Sequence, residues 1–230
     1  MHVFVTGGSG LTGPAVVAEL IAAGHTVTGL ARSDAAARLE SLGATPHRGS
    51  LDDLDSLRSG AEASDGVLHM AYGGDFSDLD DMMRRDVAAI ETLGRSLEHS
   101  GKPLVVTSGT PVMPAGRETT EKDEPGTAGI GAFRIAGERA GVGFAARGVR
   151  ASVVRLASAV HGPHDHGFIP CSSPPRGRPA SRPTSATAPT GGPRRTGSTR
   201  RSCTGWRWRR RPRAACCTGE HGDYLAAPAA

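Results

Sequence analysis

The stretch MHVFVTGGSGLTGPAVVAELIAAG, residues 1–24, limits what this chain can fold into more than any other part of it. Val3, Phe4 and Val5 form a short apolar run of the kind a parallel sheet buries on both faces. Glycines follow at 7, 8, 10 and 13. From Pro14 the period changes: Val16, Val17, Leu20 and Ile21 fall at helical spacing, and Gly24 stands where a helix would stop. A strand that turns through glycines straight into a helix is the phosphate-binding corner of a dinucleotide fold. In that reading Gly7 permits the tight turn, Gly10 lets backbone approach a pyrophosphate, and Gly13 lets the helix lie close to the strand. Leu11 and Thr12 complete the loop, whose free N–H groups at the helix start face the anion. An ordinary glycine turn would need neither this strand before it nor this helix after it.

The same alternation continues. HTVTGLARS reads as a second strand ending at Arg32, where an acid would bind an adenosine 2′-hydroxyl and an arginine accommodates a 2′-phosphate. Arg32 thus tilts the cofactor toward NADP(H), with NAD(H) the alternative; a solvated arginine at a strand end fits equally. DAAARLESLG reads as a compact helix, ATPHRGSLDD as a strand and loop, and LDSLRSGAEA as a helix preceded by Asp52 and Asp53. DGVLHMAYGG reads as a fourth strand that ends in small residues, so that Ala71 offers backbone to a cofactor. A long helix follows, with Met82, Val87, Ile90, Leu93 and Leu97 as its apolar stripe and Asp75, Asp78, Asp80 and Asp81 at its positive end. KPLVVTSGT is a fifth strand, PGTAGIGAFRIAGERAGVGFAARG a glycine-weakened helix, and VRASVVRLASAVHGP a sixth strand with its loop. Strands and helices in this rhythm predict an α/β, Rossmann-type, doubly wound and mostly parallel sheet over residues 1–170. With no leader-like segment and no long apolar run, the chain is expected to be soluble, cytoplasmic and off the membrane.

TGGSGLTG at the first turn, DGVLHMA at the fourth strand, VVTSGT at the fifth and VRLASAVHGP after the sixth resemble the extended and atypical short-chain dehydrogenase/reductases, the NAD-dependent epimerase/dehydratase group. The resemblance runs through residues 1–170 in order. It implies a nicotinamide dinucleotide on the carboxyl edge of the sheet. It also implies hydride transfer on a small carbonyl, alcohol or sugar-type substrate. The group's proton chemistry rests on a tyrosine with a lysine four residues later, aided by a Ser or Thr at the end of the fifth strand. Here only Tyr72 and Tyr224, Lys102 and Lys122 exist, and no pairing has that spacing. The corresponding segment reads FRIAGE, placing Phe133 with Gly137 or Arg134 with Glu138. Ser108 or Thr110 is the surviving helper, or simply caps a strand end. The expected activity is therefore impaired, and a dinucleotide-sensing regulator with no turnover accounts for the same absence. HGPHDHG (His161, His164, Asp165, His166) has zinc-ligand residue types but sits in a glycine- and proline-rich loop, so a substrate-facing loop is the expectation.

The net charge of +4 averages two unlike parts. Residues 1–170 hold 15 Lys and Arg against 21 Asp and Glu, whereas residues 171–230 hold 12 Arg, no Lys and 2 acids. All four cysteines and both tryptophans lie in the second part, and from Cys171 to Gly219 there is no Leu, Ile, Val, Met, Phe or Tyr. Such a segment cannot bury enough apolar surface to offset its ordering entropy, so 171–230 is expected to be a disordered tail in place of the substrate-binding region. WRWRRRPR has the make-up of a nucleic-acid arm. Codon arithmetic accounts for more. Read one base earlier, every Trp and Cys codon becomes NTG, which encodes only Leu, Val or Met. All six Trp and Cys of the tail then become core-type residues, and GEHG looks like a return to frame. The same arithmetic argues against nucleic acid as a partner. The expected outcome is testable on the gene: codons 165–225 read one base back should give an open, helically patterned sequence, and stop codons in that frame would refute it.

Overall fold

The computed structural model describes residues 1–73, 78–126 and 131–157, together with the backbone of 215–217 and 226–228. Six strands form a parallel sheet: β1 (His2–Thr6), β2 (Thr26–Ala31), β3 (Thr45–Arg48), β4 (Gly66–His69), β5 (Pro103–Gly109) and β6 (Arg150–Leu156). Their order is β3-β2-β1-β4-β5-β6, so the direction of winding reverses between β1 and β4. In open α/β sheets the crevice beyond the carboxyl ends of the strands at such a switch point receives the ligand. The tail contributes two further three-residue strands, β7 (Ala215–Cys217), parallel to β6, and β8 (Ala226–Pro228), antiparallel to β7. The remainder of 158–230, HGPHDHG at 161–167 included, lies outside the described residues.

Alternate residues of each strand feed two cores. Val3, Val5, Leu68, Val105 and Val154 meet α1 (Gly13–Ala22) and α2 (Ala36–Glu40) on one face. Phe4, Val67, Leu104, Val106 and Val153 meet α3 (Leu54–Glu62), α4 (Leu79–Arg95) and α5 (Ile135–Gly143) on the other. The helix starts follow from the acids that precede them. The Asp53 carboxylate accepts the Ser56 N–H at 3.1 Å, and Asp78 accepts the Asp81 N–H at 2.9 Å, each satisfying a donor the helix itself leaves open. Asp75 lies outside the described residues, while Asp80 and Asp81 occupy the first turn of α4 at the positive end of its dipole.

Two glycines set how closely α3 approaches the sheet and α4 approaches the turn after α5. A Cβ at Gly60 of α3 would stand 2.4 Å from the ring of Phe4, and one at Gly94 of α4 would stand 2.3 Å from Phe144. Phe4 is wholly buried at the middle of the sheet and has no room to retreat. Gly60→Ala gains roughly 1 kcal/mol of helix propensity but overpacks the core, at a cost of about 1–3 kcal/mol. The expected net effect is a destabilisation of up to about 2 kcal/mol, read as a lower urea midpoint at unchanged slope.

Candidate functional site

After β1 the backbone enters a left-handed turn at Gly7, φ +75°. A Cβ there would lie 2.6 Å from the Ala71 nitrogen and 2.8 Å from its Cα, so only glycine lets the turn press against the end of β4. Gly7 and Ala71 are thereby brought together, and the Ala71 N–H donates to the Thr6 hydroxyl at 3.2 Å. The Gly10 N–H closes the turn onto the Gly7 carbonyl at 3.0 Å, and beyond that carbonyl a Cβ at Gly10 would meet nothing within 4 Å. Gly13 works differently from the sequence expectation. A Cβ there would sit 2.2–2.3 Å from the carbonyl oxygens of Gly8 and Gly7, so the close approach is to the loop's own backbone rather than to the strand. Thr12 makes no side-chain cap, Pro14 opens α1, and its first turn holds no acid, which leaves the helix's first N–H groups without an internal partner. Leu11 is exposed beside them. Arg32 projects, exposed, just past β2. A narrow crevice lined by Thr12, Met70, Thr107 and Leu156 runs from this corner along the carboxyl ends of β4, β5 and β6.

On the opposite face the apolar residues Phe4, Val67, Val106 and Val153 give way, two residues on, to polar side chains. Thr6 pairs in register with His69 across β1 and β4, and Ser108 with Arg155 across β5 and β6. His69 is buried and lies 3.1 Å through Nε2 from Asp86 Oδ1 of α4. A carboxylate can only accept, so Nε2 carries the proton and Nδ1 takes the Thr6 hydroxyl at 2.8 Å. Asp86 also faces the Arg134 guanidinium at 4.0 Å. Arg134 donates through Nη2 to the Thr107 carbonyl and lies 3.7 Å over the ring centroid of Tyr72. Tyr72 in turn stacks on Phe133, centroids 5.8 Å apart. Burial pushes Arg134 below the usual guanidinium range, against the pull of Asp86, Tyr72 and Glu138. Burial likewise raises the Tyr72 phenol, with the Arg134 charge opposing and Asp86 adding to it. One strand further along, Arg155 and Glu138 of α5 form a second buried pair, with Arg155 Nη2 2.7 Å from Glu138 Oε2 and Nε within 3.1 Å of both carboxylate oxygens.

These contacts say what occupies the segment where the resemblance places tyrosine and lysine. Glu138 is committed to Arg155. At Gly137 a Cβ would lie 2.5 Å from Asp86 Oδ2, so α5 can lie on α4 only because the residue has no side chain. Ser108 sits at the end of β5, buried, its hydroxyl without a partner among the described residues; Thr110 opens the short 3-10 turn that follows, beyond the polar layer. No motif in the sequence marks His69 or Asp86 as a site residue, and Tyr72 and Arg134 enter there only as a tyrosine without its lysine and as one register of FRIAGE. One signal was available: Asp86 falls between Met82 and Ile90 at four-residue spacing, where the apolar stripe of α4 should continue. The expected stripe runs through Val87, but in the fold Val87 is only partly buried and Asp86 takes the inner position.

Among proteins of known sequence, residues 3–176 match the NAD dependent epimerase/dehydratase family. The chain is similar to uncharacterized protein C2A9.02 of Schizosaccharomyces pombe, 41% identical over 175 residues, and to uncharacterized protein YLL056C of Saccharomyces cerevisiae, 40% identical over 177. Each match covers 74% of this chain and 58% of the relative, so the chain spans little more than half the length of these proteins. Among solved structures it is similar to MoeE5 in complex with UDP-glucose and NAD, at 25% identity and TM-score 0.58, over 71% of this chain and 56% of that one. Among the described residues no helix is long and apolar enough to cross a membrane.

The Glu138–Arg155 pair yields a direct test of the polar layer. Glu138→Ala removes the carboxylate that the buried Arg155 guanidinium meets and should cost about 3–5 kcal/mol, whereas Glu138→Leu with Arg155→Met should recover most of it. Chemical denaturation of the two variants checks both halves.

Proposed function

The chain belongs to the NAD dependent epimerase/dehydratase family, and on that premise we propose that it binds a nicotinamide dinucleotide along the carboxyl edge of its sheet for hydride transfer at a small carbonyl, alcohol or sugar-type substrate. The observation that carries this reading is the β1–α1 corner, with its side-chain-free approach at Gly10 and its uncapped helix start. Both suit a diphosphate, whose charge the helix N-terminus favours and whose oxygens the backbone N–H groups reach. In this assignment Gly7, Gly10, Leu11, Thr12 and Gly13 hold the diphosphate, Ala71 lines the adjoining wall, and Arg32 meets the adenosine ribose. Arg32 favours NADP(H) over NAD(H), the dinucleotide named with MoeE5. When bound, the dinucleotide supplies or accepts the hydride. Ser108 at the end of β5 orients the substrate oxygen; Thr110, the other helper considered, lies further from the polar layer. The protein acts in the cytoplasm on a small molecule rather than on nucleic acid.

The family match stops at residue 176, just past the break in composition, which supports reading 171–230 as sequence standing in place of the substrate side. Activity is accordingly impaired relative to relatives that keep that side. A second reading, a dinucleotide sensor without turnover, is favoured by the absence of any Tyr-x-x-x-Lys spacing. Thermal unfolding of the full chain with NADPH or NADH tests the shared premise. Saturation at about a hundred times Kd should stabilise it by roughly 2.7 kcal/mol. Arg32→Asp should weaken NADPH about 10- to 100-fold, as expected for a lost charge-assisted hydrogen bond, and spare NADH. No shift with either dinucleotide refutes the reading. Oxidation of NADPH across a panel of small carbonyls supports the enzyme, and binding without oxidation supports the sensor.

A further inference from the structure

We propose that Tyr72 and Arg134 form the proton-donating pair of this site, with Tyr72 giving its phenolic proton to a substrate carbonyl oxygen and Arg134 steadying the phenolate that remains. The inference rests on the hydride-transfer reading above and deepens it. Its ground is a cluster of buried polar atoms that the fold leaves unsatisfied. Tyr72 Oη, Ser108 Oγ and Arg134 Nη1 are all buried without a hydrogen-bond partner among the described residues. A native interior rarely tolerates such groups, and each one calls for a specific explanation. Here they belong to one neighbourhood. Arg134 lies 3.7 Å over the Tyr72 ring and donates to the carbonyl of Thr107, the residue before Ser108. That neighbourhood is the carboxyl edge of the parallel sheet, where α/β folds receive their ligands.

The arrangement behind the pair holds it in place. Arg134 is fixed from one side by Asp86 and from another by the Thr107 carbonyl, and Asp86 is itself held by the chain through His69 to Thr6 on β1. The charged groups facing Tyr72 are Arg134, over the ring, and Asp86 on α4 behind it; Phe133 closes the remaining ring face. A buried phenol so placed stays protonated near neutrality, which suits donation to an oxygen that is becoming an alkoxide and not removal of a proton from an alcohol. In the step, the Tyr72 O–H bond breaks and an O–H bond forms on the former carbonyl oxygen as its carbon takes up the hydride from the reduced dinucleotide. The electron pair of the broken bond stays on the phenolate, which regains a proton from water. Tyr72 is the catalytic residue in this scheme; Arg134, Asp86 and His69 are positioning residues.

The test uses the full chain carrying Tyr224→Phe, in which Tyr72 is the sole tyrosine and its ionisation is read from phenolate absorbance. Adding Arg134→Gln should move that titration to higher pH, and Arg134→Lys should return it toward its starting position. An unmoved midpoint in Arg134→Gln overturns the pairing. On the same background, Tyr72→Phe should leave the thermal shift by NADPH unchanged and lower kcat for carbonyl reduction by about 100-fold or more, the usual scale for a lost general acid. Retained turnover in Tyr72→Phe, or a parent chain that binds NADPH and reduces no carbonyl, overturns the catalytic role. Failure of the parent chain to bind either dinucleotide overturns the hydride-transfer reading itself, while the titration still reports whether the phenol and guanidinium act together.

Discussion

The contact between Gly7 and the backbone of Ala71 is the constraint on which the site depends. It brings the turn after β1 against the end of β4, the two strands between which the sheet reverses its winding. Any side chain at position 7 would need the space of the Ala71 nitrogen, and the positive φ there would strain it further. With that contact made, the start of α1 points across the crevice and the Ala71 N–H reaches the Thr6 hydroxyl. Thr6 then orients His69, His69 meets Asp86, and Asp86 faces Arg134. One close approach of two backbones thus anchors both the diphosphate corner on one face and the polar layer on the other.

The two faces of the carboxyl edge have different characters. Around α1 the crevice is lined mostly by apolar side chains, with Thr12 and Thr107 among them. Under α4 and α5 the edge holds two ion pairs, Asp86–Arg134 and Glu138–Arg155, almost wholly out of water. Buried ion pairs seldom add net stability over well-packed apolar residues, but breaking one is costly. Their presence is better explained by what they hold in position than by what they contribute to folding.

The glycine corner, the six-strand order of elements and the acid-capped starts of α3 and α4 were legible in the residues because each obeys a local rule of period, turn or cap. The polar layer was not, because its members come from separate places in the chain and the segments alone do not say which of them meet. His69 reads as one more residue of the fourth strand, Tyr72 as a tyrosine without its lysine, and Arg134 as one register of the missing pair. Asp86 alone betrays itself locally, as a charge where the helix stripe calls for an aliphatic. The glycines of α5 looked like a weakness of the helix. In the fold, a Cβ at Gly137 would crowd Asp86 and one at Gly141 would stand 2.8 Å from Val106, so their lack of side chains is what seats the helix. The missing tyrosine and lysine were plain from spacing; what had taken their place required the contacts.

The packing of Gly137 on Asp86 closes off one engineering route. Grafting a lysine at position 137 to rebuild the usual spacing would drive its Cβ into the carboxylate, and clearing the way by removing Asp86 would leave His69 without its acceptor and Arg134 without its facing charge. The positions are interdependent, because 86, 134 and 137 meet in one packed spot and a change at one alters what the others face. Whatever proton chemistry this scaffold is made to perform will be easier to retune around the residues it has than to restore to a pattern it lacks.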